Sequence, residues 1–125
     1  MKKADTLRVS DTVSVSTLWE CPPKAKACFV MAHGAGAGMH HPSMESVATA
    51  LAGRHIATLR FQFPYMERGS RRPDPPKLCH ATVRAAVDLA RQRTDVPLIA
   101  GGRSFGGRMT SQAQAREPLD RKSVV

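Results

Sequence analysis

The sequence predicts an α/β domain: a mostly parallel sheet with crossover helices. Three observations predict it. Short apolar runs occur at residues 27–34, 56–63 and 97–102, each closes on glycine or proline, and each is followed by a segment of helical period or by a loop leading into one. Parallel neighbours need a long crossover, which is what helical segments between strands provide. A chain of 125 residues holds one such domain, and 42% hydrophobic against 23% charged residues supplies a core.

The elements follow in order. Residues 7–19 place Val9, Val13 and Val15 on alternate positions around a turn at Ser10-Asp11, which predicts a β-hairpin ended by Cys21-Pro22-Pro23. ACFVMAHG, residues 27–34, is continuously apolar, as suits a strand covered on both faces. After GAGAGMHHP, residues 43–53 carry Met44, Val47, Ala48 and Leu51 at helical spacing, with Gly53 placed to stop the helix. IATLRFQF, residues 56–63, predicts a second core strand. The prolines, glycine and charges of residues 64–76 predict a long loop without regular structure. A helix follows over 77–93, its stripe formed by Val83, Ala86, Val87 and Ala90, then a third core strand at 97–102 and a helix over 106–116.

Composition excludes several function classes. The net charge is +9, and from Glu67 onward 12 Lys and Arg stand against 6 acidic residues, which gives a surface that attracts anions. No aromatic residues interleave the basic positions of the late loop, which argues against nucleic acid. Cys21, Cys28 and Cys79 lie far apart, with no metal-type spacing, and predict reduced thiols in the cytoplasm and no metal. Nowhere do 18 apolar residues run together, so no membrane partner is expected.

Two glycine-rich stretches carry the chemistry. Gly102-Arg103-Ser104-Phe105-Gly106 fits G-x-S-x-G between a strand and a helix, the setting of a nucleophile elbow, in which a sharp turn lifts the serine hydroxyl above the sheet. Gly102 and Gly106 sit where a Cβ would strike backbone, and Gly107 lets the helix approach. His33-Gly34-Ala35-Gly36-Ala37-Gly38-Met39 ends the first core strand, where an acyl-transfer site needs a flexible donor of backbone N–H. Phe105 and Ala35 or Gly36 would be those donors. A dinucleotide loop is excluded because G-x-G-x-x-G meets Met39 or His41 at its last glycine, and because Arg60 and Gln62 stand where the ribose-binding acid belongs. A phosphate-binding Walker loop fails for want of Gly-Lys-Ser/Thr. No cofactor is expected.

HGAGAGM, LRFQFPYMERGSRRPD and GGRSFGGRMTSQ, in this order, resemble a family of α/β-hydrolase-fold proteins related to dienelactone hydrolases. That family includes bacterial hydrolase-like proteins and a subunit of a histone acetyltransferase complex. The resemblance runs from about Thr12 to Ala115. It implies a serine hydrolase scaffold acting on a small-molecule acyl substrate, with Ser104 as nucleophile, Phe105 and Ala35 or Gly36 as oxyanion donors, and the 64–76 loop near the site. His33, Met39 and Arg103 are candidates for touching substrate, and Arg68, Arg71 and Arg72 of the loop are further candidates for an anionic group.

The sequence departs from that pattern after the serine. An α/β-hydrolase triad runs nucleophile, acid, histidine, yet the 21 residues beyond Ser104 offer Glu117 and Asp120 and no histidine. The chain therefore reads as an incomplete hydrolase domain over 1–116, truncated after the elbow helix, with a polar tail over 117–125. Of the upstream histidines, His33 reads as a hydrogen-bonding residue at a strand end, His40 and His41 reach Ser104 only if their loop folds back, and His55 and His80 read as surface residues beside helix ends. A chain without the base is expected to be nearly inert by itself. A half sheet also leaves an open edge for self-association. The alternative is a non-catalytic interaction module on the same scaffold.

Overall fold

The structure, a computed structural model, describes residues 2–116. The tail read at 117–125, with Glu117 and Asp120, lies outside the described residues. Five strands form one sheet: β1 (Lys2–Arg8), β2 (Ser14–Glu20), β3 (Ala27–Ala32), β4 (Ile56–Phe61) and β5 (Leu98–Gly102). The helices are α1 (Pro42–Ala52), the single-turn α2 (Pro64–Glu67), α3 (Pro76–Arg93) and α4 (Phe105–Arg116).

The strand order is β1-β2-β4-β3-β5. β3 pairs in parallel with β4 on one side, Val30 opposite Leu59, and with β5 on the other, Val30 opposite Ala100. This parallel centre is extended by the hairpin, since β2 runs antiparallel to both β1 and β4. The hairpin reaches further back than its valines indicate. β1 begins at Lys2, and its exposed residues hold their place through ladder bonds rather than burial, with Leu7 its one buried side chain.

Alternation along β3 divides the core between two faces. Cys28, Val30 and Ala32 join the main core with Val83, Ala86, Val87 and Ala90 of α3 and Phe105, Met109 and Ala113 of α4. Phe29 and Met31 point the other way, toward Met44 and Ala48 of α1. The α3 stripe is fully buried, whereas α1 buries only Met44 and Ala48. Val47, expected in the α1 stripe, is 44% exposed, because α1 lies over β4 and leaves Val47 at the lip of a cleft beside Phe29. Burial pushes the thiols of Cys28 and Cys79 up to about 12, so both are inert packing groups. Among the described residues no helix is long and apolar enough to cross a membrane.

The segment expected to be an irregular loop after Phe63 instead opens with α2. Pro64 occupies the first helical turn, where its missing N–H is no loss. The buried carboxylate of Asp74 then gathers the remainder, accepting from the Tyr65 N–H at 2.8 Å and from Arg68 at 3.1 Å. His80, expected at the surface, is buried between α3 and α4 and donates from Nε2 to Gln112 at 3.0 Å.

Candidate active site

Both glycine-rich turns leave the same end of the sheet, since β3 and β5 are adjacent and parallel. The ladder continues one residue past β5, with the Arg103 N–H donating to the Ala32 carbonyl at 3.1 Å. The chain then reverses sharply. Ser104 adopts φ +50°, a left-handed conformation that costs a non-glycine residue about 1–2 kcal/mol, and α4 starts at the next residue. Such strain persists only where surrounding structure imposes it. A Cβ on Gly102 would lie 2.6 Å from the Ala32 carbonyl oxygen, one on Gly107 2.7 Å from the Gly102 carbonyl oxygen, and one on Gly106 would strike the His33 carbonyl. The turn therefore nests against β3, backbone to backbone.

Ser104 is exposed, and its hydroxyl has no hydrogen-bond partner among the described residues. It lines a cavity of about 320 Å³ with Gly34, Ala35, Gly36, Ala37, His41, Ser43, Met44 and Arg103. The amides of Ala35, Gly36 and Phe105 make no hydrogen bond among the described residues. Phe105 opens α4, where the first amides lack intrahelical acceptors and the helix presents its positive end.

An aromatic cluster fixes the two turns relative to each other. The Phe105 ring meets Phe63 edge-on at 5.5 Å and Tyr65 at 6.0 Å, and His33 packs edge-on against the same two rings at 5.0 and 6.0 Å. Tyr65 then donates its hydroxyl to the Ala35 carbonyl at 2.9 Å, tying the loop tip to the cluster. Burial pushes that hydroxyl up to about 12, so it remains a donor. The far end of the loop is held at Met39, whose N–H donates to Gln62 at 2.8 Å and whose carbonyl accepts from Arg60 at 3.2 Å. Arg60 is wholly buried and reaches Glu45 on α1 at 2.8 Å. The two residues that exclude a ribose-binding acid thus serve as clamps on the loop.

Two of the candidates for touching substrate are corrected by burial. His33 is completely buried and Met39 is 2% exposed, and neither lines the cavity. The His33 ring accepts the Phe63 N–H on Nε2 at 2.9 Å and donates from Nδ1 to the Gly34 carbonyl at 2.7 Å. Both nitrogens are spent on backbone, and burial lowers the ring's pKa, so it stays neutral. Met39 packs inward because its backbone is clamped on both sides. Arg103 does line the cavity, while Arg68 is committed to Asp74, and Arg71 and Arg72 are exposed outside it.

His41 lines the cavity as well, but as the N-cap of α1: its Nδ1 accepts from the Ser43 N–H at 3.1 Å and from the Ser43 hydroxyl at 2.8 Å. No histidine of residues 2–116 hydrogen-bonds Ser104. Tyr65, Phe63, Gln62 and Asp74 were missed as site-building residues. Their signal was the period-two run Phe61, Phe63, Tyr65, which continues the strand alternation past its end.

Residues 25–125 match the model of a family described as an alpha/beta hydrolase domain. No match is found among curated proteins. Several solved structures share the fold. The dienelactone hydrolase of Anabaena variabilis superposes with a TM-score of 0.83 at 21% identity, over 98% of this chain and 60% of that one. A lidless α/β serine hydrolase of Xanthomonas campestris gives 0.77 at 24% identity, over 92% and 56%. An α/β serine hydrolase homologue from Coxiella burnetii gives 0.76 at 15%, over 92% and 58%. This chain thus spans less than two thirds of the length of these structures.

Proposed function

Since the chain belongs to this alpha/beta hydrolase family, we propose that it carries the nucleophile half of a serine hydrolase site acting on an ester or related acyl bond. The observation that carries the reading is Ser104, exposed at φ +50° ahead of α4 and lining one cavity with residues 34–37. In this reading Ser104 Oγ attacks the acyl carbon, and the N–H groups of Phe105 and of Ala35 or Gly36 receive the developing oxyanion. The leaving alkoxide departs with the serine's proton, and water then releases the acyl group as acid. The glycines at 102, 106 and 107 are elbow residues that let the turn press on β3.

In this reading the base and its acid partner come from outside residues 2–116, because no histidine there hydrogen-bonds Ser104 and His41, which lines the cavity, has its Nδ1 occupied by Ser43. Loss of a triad histidine leaves only about 10³- to 10⁴-fold catalysis over water, from binding and the oxyanion hole. Added imidazole can stand in for a missing ring. The expected result is slow hydrolysis of 4-nitrophenyl acetate that imidazole accelerates beyond its own solution rate, with both components lost in Ser104→Ala. An unchanged rate and imidazole response in Ser104→Ala would overturn the reading. A folded chain with no turnover at all selects the alternative, a non-catalytic binding module.

A further inference from the structure

Among the described residues Val47 is the one large hydrophobic side chain left exposed, and it stands at the lip of a cleft of about 200 Å³. The cleft lies on the α1 face of the sheet, opposite the core packed under α3 and α4. Phe29 and Met31 of β3 line it from the sheet, and Met44 and Val47 of α1 line it from above. Gly101, opposite Met31 in the ladder, leaves the Phe29 ring its room, since a Cβ there would lie 3.3 Å from that ring. No carboxylate lines the cleft among the described residues, and the Ser43 hydroxyl at its mouth is spent on His41 Nδ1 at 2.8 Å. An apolar surface left open beside polar turns marks a place for an apolar ligand group.

The cleft adjoins the Ser104 cavity, for Ser43, Met44 and Arg103 line both. A substrate whose carbonyl carbon meets Ser104 can therefore run its acyl chain past Met44 toward Phe29. Each methylene that leaves water there adds about fourfold to affinity. At about 30 Å³ per carbon, the share of one water, the cleft holds a chain of about six. Unbranched methionine side chains adapt to what they touch, so Met31 and Met44 can close on such a chain. We propose that the site selects esters of straight aliphatic acids of about six carbons, with Phe29, Met44 and Val47 setting that preference. This rests on Ser104 marking the reacting end of the cavity.

The first test is binding, so it does not depend on turnover. Hexanamide and acetamide, both uncharged, are titrated into the wild type, Val47→Asp and Ala50→Asp, with methyl chemical shifts as the readout. Val47 and Ala50 are both exposed on α1, and Ala50 lies outside the cleft, so its variant makes the same change in charge on the same helix. The expected result is hexanamide shifts centred on Met31, Met44 and Val47, with affinity at least about tenfold above that of acetamide. Val47→Asp alone should lower hexanamide affinity about fivefold and leave acetamide unchanged. Equal affinity for the two amides, equal loss in both variants, or shifts centred on another face would overturn the proposal. So would shifts of the same methyl groups that grow with protein concentration before any amide is added, which would give the cleft to a second copy of the chain. Turnover then separates this inference from the one beneath it. Ser104-dependent hydrolysis that is no faster for 4-nitrophenyl hexanoate than for the acetate overturns the cleft and leaves the nucleophile standing. Val47-dependent hexanamide binding without Ser104-dependent hydrolysis sustains the cleft as an aliphatic-chain site and removes only the nucleophile reading.

Discussion

In the turn that follows β5, a Cβ at Gly102, Gly106 or Gly107 would strike backbone; in the turn that follows β3, a Cβ at Gly36 would meet nothing within 4 Å. Both turns look alike as strings of small residues, and they border the same cavity, yet glycine serves a different purpose in each. In the first it allows two segments of main chain to touch, which forces Ser104 into its strained, outward conformation. In the second, Gly36 borders open space, while the turn's shape is held from outside by Tyr65, Gln62 and Arg60. One turn is shaped by its own packing and the other by clamps.

Substitutions can break or sharpen that contrast. The largest effect is expected from Gly106→Ala, whose methyl group meets unyielding backbone at His33 and Ala32; a loss of about 3 kcal/mol should appear as a lower urea midpoint. A near-neutral Gly106→Ala would show that the turn is not packed as described. Ser104→Gly should act in the opposite sense, stabilising the fold by about 1 kcal/mol through relief of the positive φ while removing the hydroxyl. Tyr65→Phe removes the bond to the Ala35 carbonyl and should cost about 1 kcal/mol, with faster amide exchange in residues 34–37. Unchanged exchange there would mean that the loop needs no clamp. Gly36→Ala should lie within about 0.5 kcal/mol of wild type by thermal unfolding.

The joint between the turns also makes stability depend on pH. Burial lowers the pKa of His33 from its ordinary value of 6.5, so the unfolded chain takes up a proton that the folded chain refuses. The contribution is complete above 6.5 and is lost as pH falls from there toward the lowered folded value. Unfolding midpoints should therefore drop between about pH 7.5 and about pH 5.5, with a shallower slope in His33→Gln. Identical slopes in both proteins would place the titration elsewhere.

Much of this architecture was legible in the chain. Short apolar runs bounded by glycine mark β3, β4 and β5, and the α3 stripe of Val83, Ala86, Val87 and Ala90 is buried to the last residue. Failures occurred where a neighbour rather than a period decides the outcome. Val47 has the right spacing for a buried stripe, but α1 lies over β4 and leaves it at the lip of the cleft beside Phe29. His33 and Met39 sit at the two ends of the loop and still turn inward, because the Phe63 N–H meets the His33 ring while Gln62 and Arg60 hold the Met39 backbone. α2 hides inside a proline-rich stretch, and Asp74, which organises it, is nine residues from the amide it receives.

By itself the sequence determined the order of the core strands and the three longer helices, the two glycine-rich turns and the serine in the second of them, because periodicity and the absence of a Cβ act locally along the chain. Only the tertiary structure decided which polar groups are spent and which remain available. A histidine is consumed when a backbone amide finds its ring. Those outcomes depend on residues distant in sequence, such as Phe63 for His33 at a separation of 30, and no local pattern records them.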